Sequence, residues 1–277
     1  VAVYQSPSDS DYELLDVMEL RSVVGRTETP LLRAPSGRYD NGAGLRVKLM
    51  TGTLSSVEEQ VFLAGANLAA IGDGTSGAWE VLQFGQADLV DKDTYMLTRR
   101  LRGQLGTDGL MPDLWPEGSW FVLMNGMPEQ IDLLRNLRRV QHSYRIGPAR
   151  RGVDDPSYVE QVEAFEGNGL RPYTPVHLRA TINQDGAIET SWIRRTRIDG
   201  DAWETPDVPL GEETESYVVH VVKDGELLRE TSLHQPFWIY PLSEQAVDGL
   251  TGSFEIRVAQ ISAAYGAGPA SVLPMSV

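Results

Sequence analysis

From Pro175 to its end the chain is written in a period of two. Seven segments, PVHLRATI, AIETSWIR, ESYVVHVV, ELLRET, PFWIYPL, SFEIRVAQ and SVLPMSV, carry alternating apolar and polar positions and are separated by turn formers. Successive side chains of a strand point to opposite faces, so this alternation calls for strands with one face buried and one wet. Asp185-Gly186 joins the first and second segments and Lys223-Asp224-Gly225 the third and fourth, sequences suited to tight hairpins. Short antiparallel strands at these intervals predict a β-sandwich. Its expected inter-sheet core is Val176, Leu178, Ala180 and Ile182 on one strand, Ile188 and Trp192 on the next, and Phe254, Ile256 and Val258 on the sixth.

One connection is out of scale. The stretch from Arg194 to Thr214 is longer than a compact sandwich needs and holds Trp203 together with Glu212, Glu213 and, just beyond, Glu215. It reads either as an interaction surface or as a packed flap.

Upstream, Glu166-Gly167-Asn168-Gly169 meets Arg171-Pro172, where small flexible residues run into a proline that resists continuation. The boundary is therefore placed near residue 170, giving domains over 1–169 and 170–277, with a further split of the first near residue 44 left open. A chain of 277 residues is near the upper edge of what one core serves, which agrees with two domains.

The first domain also reads as mainly β, meander- or barrel-like. The apolar positions of YELLDVMELRSVV suit either a short helix or a buried strand, with strand preferred, and the Gly- and Pro-punctuated residues 25–44 are expected to be mostly loop, with a tight turn at Asn41-Gly42. LRVKLM alternates from Leu45, while Val57 to Ile71 fits helix or strand. After the turn IGDGTSG, the runs WEVLQF, ADLVD and TYMLTRRL predict an antiparallel meander, with Tyr95 and Leu97 on one face and Thr98 and Arg100 on the other. SWFVLM is a further strand ending at Asn125-Gly126. In MPEQIDLLRNLRRVQ, Ile131, Leu134 and Leu137 share a helical face, although strand followed by loop fits as well. YVEQVEAF is the expected last strand of this domain.

Composition narrows the function. The absence of cysteine removes disulfides, thiolate catalysis and thiolate metal sites together. A formal net charge of −15 argues against general binding to nucleic acid or anionic membranes, which needs clustered cations. Against that background Arg135, Arg138, Arg139, Arg145, Arg150 and Arg151 form a basic stretch. It is either a solvated or internally paired face or a contact for an acidic neighbour or passing DNA. No run of 18 apolar residues occurs, so no transmembrane helix is expected. The opening VAVYQSPSDSD has neither a basic nor an apolar signal region, and the expectation is a chain that begins mid-protein.

No catalytic motif stands out. His142, His177, His220 and His234 lack the spacing of a zinc helix, and Asp199 and Asp201 begin like a calcium loop that Trp203 interrupts, so no metal site, cofactor or catalytic residue is assigned. Trp115 and Trp120 flank the turn LWPEGS. With Trp203 they are the candidate contacts for a sugar or a partner, the alternative for the first two being tryptophans packed over a loop.

Two blocks carry a resemblance. WEVLQFGQADLVDKDTYMLTRRLRGQLGT, over 79–107, and WIRRTRIDGDAWETPDVPLGEETESY, over 192–217, resemble segments of the megatron or baseplate hub proteins of siphophage tails and gene transfer agents. There a strand ending in QFGxA leads to a tyrosine-led strand and an RxLRGxLGT turn. The C-terminal region, with Trp192, FEIRVAQIS and the turn from Tyr265 to Ser271, resembles a fibronectin type III domain. The resemblance implies a structural virion component at a tail tip that supports host attachment and DNA delivery. It further implies a homotrimer in contact with other baseplate proteins and with a host cell-surface receptor or polysaccharide, and no enzymatic activity in these residues. The competing expectation is a carbohydrate-binding region of a secreted polysaccharide-active protein.

Overall fold

A computed structural model describes residues 1–126, 128, 131, 134–198, 200 and 208–277. The chain divides into two compact units, Val1–Gly167 and Asn168–Val277.

The first unit contains, in order, β1 (Ala2–Ser6), β2 (Glu13–Val17), β3 (Val24–Thr27), β4 (Leu31–Leu32), β5 (Tyr39–Asp40) and β6 (Leu45–Leu49). After the short helix α1 (Glu59–Leu63) come β7 (Leu68–Gly72), β8 (Trp79–Asp91), β9 (Thr94–Gln104), β10 (Leu114–Trp115), β11 (Trp120–Leu123), β12 (His142–Gly147) and β13 (Val159–Glu163). Six of these strands close on themselves in the order β6-β3-β11-β7-β8-β9, because β9 pairs β8 on one edge and β6 on the other. Closure leaves no free edge in the ring, which is how an antiparallel sheet of short strands avoids presenting unpaired backbone. The barrel is filled by Leu45, Val47, Ala69, Ile71, Leu82, Phe84, Leu97 and Phe121, all fully buried. Each large apolar side chain so buried contributes roughly 1.5–3 kcal/mol.

The meander predicted over 79–104 is instead one long antiparallel hairpin of β8 and β9, because WEVLQF and ADLVD form one continuous strand, β8. Its partner switches faces midway. Arg99 has φ +56° and lies opposite Gly85, where a Cβ would sit 3.3 Å from the Arg99 Cδ. The left-handed residue turns β9 so that Leu97 and Arg100 are both buried, where strict alternation predicted opposite faces.

Residues 25–44 are mostly loop, as expected, and the strands among them are short. They hold most of β3 and all of β4 and β5. Gly25 serves close approach within a sheet rather than a turn, since a Cβ there would stand 2.4 Å from the Lys48 carbonyl oxygen on β6. The split near residue 44 is also absent: β5 and β6 both pair with β9, so one sheet spans that position. The ambiguous stretch 57–71 becomes α1 followed by β7.

β1, β2, β12 and β13 form a separate four-stranded sheet in the order β13-β12-β1-β2. Part of the segment read as helical falls outside the described residues. What is described there is a 3-10 turn at Arg135–Leu137.

The second unit holds β14 (Val176–Ile182), β15 (Ile188–Ile193), β16 (Tyr217–Lys223), β17 (Glu226–Leu233) and β18 (Phe237–Tyr240). After helix α2 (Leu242–Val247) follow β19 (Ser253–Ser262), β20 (Gly266–Ala267) and β21 (Ser271–Ser276). All seven predicted segments are strands. They form two sheets, β14-β15-β18 and β17-β16-β19-β21, and this three-plus-four strand order is that of a fibronectin type III-like sandwich. The hairpin signals work as predicted: Asp224 and Gly225 have φ +50° and +85°, while Asn183 Oδ1 accepts the amides of Asp185 and Ala187 around Gly186. Ile188, Trp192, Phe254, Ile256 and Val258 join Tyr217, Val219 and Tyr240 in the core. Ile182 does not. It is 50% exposed at the end of β14, Val176 is likewise outside the core cluster, and Leu178 and Ala180 pack against that cluster partly buried.

Candidate functional site

The arginine-rich motif of β9 lies at the end of the barrel where β9 outruns β6 and pairs β5 instead. Arg100 and Arg102 are both buried and, because a guanidinium stays charged, each needs a full set of acceptors. Arg102 donates through Nε and Nη2 to the two oxygens of buried Glu80, at 2.7 and 2.8 Å, and through Nη1 to the Leu32 carbonyl at 2.7 Å and Asp40 Oδ2 at 3.3 Å. Arg100 donates to Asp40 Oδ2 at 3.0 Å and to the carbonyls of Leu97 and Ala43. Glu80 also accepts the Gly103 amide at 3.1 Å and the Trp115 indole N–H at 2.7 Å. Burial pushes the Asp40 carboxyl up, but Arg100, the Gly42 amide and Arg102 outweigh it and hold it below the ordinary value.

Bidentate and charge-assisted bonds of this kind fix geometry as well as charge. Five segments converge on them: β4, β5 with the loop after it, β8, β9 and β10. Gly103 closes the cluster with φ +60°, its α-carbon so near Asp108 that a Cβ would approach that side chain to 2.7 Å. The motif is thus an architectural clamp that seals one end of the barrel, and every polar atom discussed is spent within the fold.

The second motif acts similarly in the sandwich. Arg194, just after β15, donates to the carbonyls of Val208 and Pro209, and Arg197 to Glu212 Oε1 at 3.0 Å and the Gly211 carbonyl at 3.3 Å. These bonds tie together the two sides of the long connection at its neck. WIRRTR and VPLGEE therefore meet in space, a pairing that their separation in the chain does not show. Trp203 lies outside the described residues.

The other predicted contacts are dispersed. Trp115 is a correction: only 4% exposed and bonded to Glu80, it belongs to the barrel core and offers no ring face to a ligand. Trp120 is half-buried on the outside of β11, with the Arg26 guanidinium 3.7 Å from its ring centroid. Trp79, which the sequence used only to mark a strand, is its lateral neighbour across Gly72.

The basic stretch also separates. Arg145 on β12 reaches Asp154 at 2.8 Å, Glu160 at 3.0 Å and Asp9 at 4.0 Å while lying over the Tyr12 ring. Arg151 pairs with Asp155, whose carboxyl is pulled down to about 2 by the Ser157 hydroxyl and amide and by Arg151. Arg139 pairs with Glu166, and Arg138 donates to the Glu166 carbonyl. Arg150 is exposed, and Arg135 sits in the 3-10 turn. Four of the six named arginines are thus engaged locally.

The histidines do not converge either: His142 is buried on β12, His177 sits at the β14 bulge, His220 meets Glu230, and His234 faces the Glu215 carbonyl. Among the described residues no three His, Asp or Glu side chains are placed to hold a metal ion. Among them, too, no helix is long and apolar enough to cross a membrane.

Residues 22–122 match the model of a family described as Rcc01698-like, C-terminal. That match begins just before β3 and ends within β11, and so coincides with the closed barrel. No curated protein matches the chain. Among solved structures, domains d3–d4 of the rat CD45 extracellular region are 13% identical over 54% of this chain and 69% of theirs, with a TM-score of 0.29. The FN1–FN3 domains of chicken CNTN1 are 13% identical over 90% of this chain and 64% of theirs, with a TM-score of 0.28. A two-domain fibronectin type III segment of chicken tenascin is 8% identical over 91% and 99%, with a TM-score of 0.27. The sandwich assignment rests on its strand order, and residues 22–122 are similar to the Rcc01698-like C-terminal family.

Proposed function

We propose that this chain is a structural and interaction component of a phage-like tail tip, a megatron-type baseplate hub segment that supports host attachment and DNA delivery as part of a homotrimer. The observation that carries the reading is the use made of the motif over 79–107. Its arginines build the closed end of a barrel, as expected of a motif that marks an architecture, and it lies wholly inside residues 22–122, the stretch matched by the family model. The fibronectin type III-like unit that follows suits an adhesive or spacer module, and the clamp at Arg194 and Arg197 anchors the base of its longest loop. Immunogold labelling of particles from the source culture tests location directly. Label at the distal end of tails supports the hub reading, and label confined to free secreted protein overturns it. Light scattering of the full-length protein checks the trimer.

A second reading, a carbohydrate-binding region of a secreted polysaccharide-active protein, is favoured by the half-buried indoles of Trp79 and Trp120 on the outside of the barrel. Silence on a glycan array, together with an absence of tryptophan fluorescence change on adding cell-surface polysaccharide, refutes it.

A further inference from the structure

Strand register lines up five residues across the outside of the barrel: Lys48 on β6, Arg26 on β3, Trp120 on β11, Gly72 on β7 and Trp79 on β8. Their chain neighbours Val47, Phe121 and Ile71 point into the core, so alternation sends this row outward. The two indoles are held differently. Trp79 lies against the bare backbone of Gly72, where a Cβ would meet its Cδ2 at 2.5 Å, and its Nε1 donates to the Thr75 carbonyl at 2.6 Å. Trp79 is half-buried in this position. Trp120 instead carries the Arg26 guanidinium at 3.7 Å, and Arg26 Nη1 donates to the Gly118 carbonyl at 2.7 Å. Stacking and this one bond hold the guanidinium in place while its other N–H groups meet no acceptor among the described residues.

Charge adds a second feature to the row, one it shares with Arg33, Arg194 and Lys223, whose bonds among the described residues go to carbonyl or hydroxyl oxygens. In a chain of net charge −15, Arg46, Arg99, Arg100, Arg102 and Arg145 each meet a carboxylate. Among the described residues Arg26 and Lys48 meet none, and the Lys48 ammonium rests on the Lys92 carbonyl at 2.6 Å. Two cations side by side without acids, beside an indole face, complement a ligand that is apolar in one part and anionic in another.

We propose that this row binds an anionic saccharide, with a pyranose ring stacked on Trp79 over Gly72 and a carboxylate on the Arg26 guanidinium, Lys48 adding charge. The apolar C–H face of a sugar ring suits an indole face, and a carboxylate suits the planar fork of arginine. Trp79 and the Trp120 ring that carries the guanidinium stand two strand spacings apart, about 10 Å, the span of two linked pyranose rings. A nucleic-acid strand would stack on the same indoles. It needs cations repeated along its backbone, whereas the row offers two at one end of a strongly acidic chain. The inference holds whichever assembly the chain belongs to.

The test is a tryptophan-fluorescence titration of the full chain with oligogalacturonate and oligomannuronate, with their carboxyl-reduced forms, and with oligo(dT). Uronate oligomers are expected to bind saturably, with carboxyl reduction weakening binding about tenfold, the scale of one lost charge-assisted contact. Arg26→Gln, at an exposed side chain, is expected to produce the same loss and to abolish discrimination between the acidic and reduced forms, with an unchanged melting temperature. Lys48→Gln is expected to produce a smaller loss. The proposal is overturned if neither uronate oligomer binds saturably, if Arg26→Gln binds as the parent does, or if oligo(dT) binds more tightly than the uronates.

Discussion

Replacing Arg102 with methionine removes the centre of the barrel clamp while keeping most of the side chain's length. The substitution deletes both bonds to Glu80, the bond to the Leu32 carbonyl and the contact with Asp40. Glu80 is left fully buried with the Gly103 amide and the Trp115 indole as its only remaining partners among the described residues, and without a countercharge. Removing one partner of a buried ion pair costs about 3–5 kcal/mol, chiefly because the other charge stays behind uncompensated. For a unit of this size each kcal/mol lowers the melting temperature by roughly 2–4 °C, so a fall of roughly 6–20 °C is expected. Hydrogen exchange followed by mass spectrometry localises the effect: β8 and β9 lose protection, and β16 and β19 in the second unit serve as the internal reference. The double variant Arg102→Met with Glu80→Leu discriminates the cause. If an uncompensated charge is what hurts, removing Glu80 as well recovers much of the loss, since an apolar replacement of a buried pair is often close to neutral. A single Arg102→Met variant that melts within about 2 °C of the parent, or a double variant that is additively worse, refutes the reasoning.

Other outcomes follow from the same structure. Asp40 is held below the ordinary carboxylate value, so its contribution is present above the unfolded-state value of about 4 and is lost as pH falls through the folded one; Asp40→Asn is expected to flatten the acid limb of a stability-against-pH curve for β5 and β9. Tyr217 and Tyr240 are raised by burial and then by their bonds to Glu215 and Asp248, so the stability they carry is present below about pH 10 and lost above it; spectrophotometric titration should show both titrating late, with alkaline unfolding of the sandwich. Gly103→Ala combines a left-handed backbone with a collision against Asp108 and is expected to cost about 2 kcal/mol or more by chemical denaturation. Arg194→Ala with Arg197→Ala releases the neck of the long loop, and thermolysin is expected to cut between residues 195 and 212 several times faster with little change in the sandwich melt.

What the sequence could determine was whatever depends on neighbours along the chain. The seven sandwich strands follow from two-residue alternation and from turns such as Asp224-Gly225, whose backbone conformation is set by the residues that adopt it. The boundary region near Gly167 was legible for the same reason, as was the strand character from Trp79 to Gln104. A meander- or barrel-like first domain was legible too, but which strands close the ring was not, because closure depends on β9 reaching β6 and β8 at once and on a left-handed Arg99 that turns one strand over midway. Trp115 and Trp120 look alike in sequence and have opposite fates. β10 folds Trp115 onto buried Glu80, whereas β11 turns Trp120 out beside Arg26. The arginines make the same point. A count of charges shows which residues are basic, but a guanidinium acquires its role from the acceptors it meets. Those acceptors arrive from distant segments: Glu80 for Arg102, Asp9 for Arg145, and for Arg26 the ring of Trp120, with no carboxylate among the described residues. Local conformational preference is encoded by adjacent residues. Burial, ion pairing and the outward row that could receive a ligand are properties of strand register, which only the tertiary structure decides.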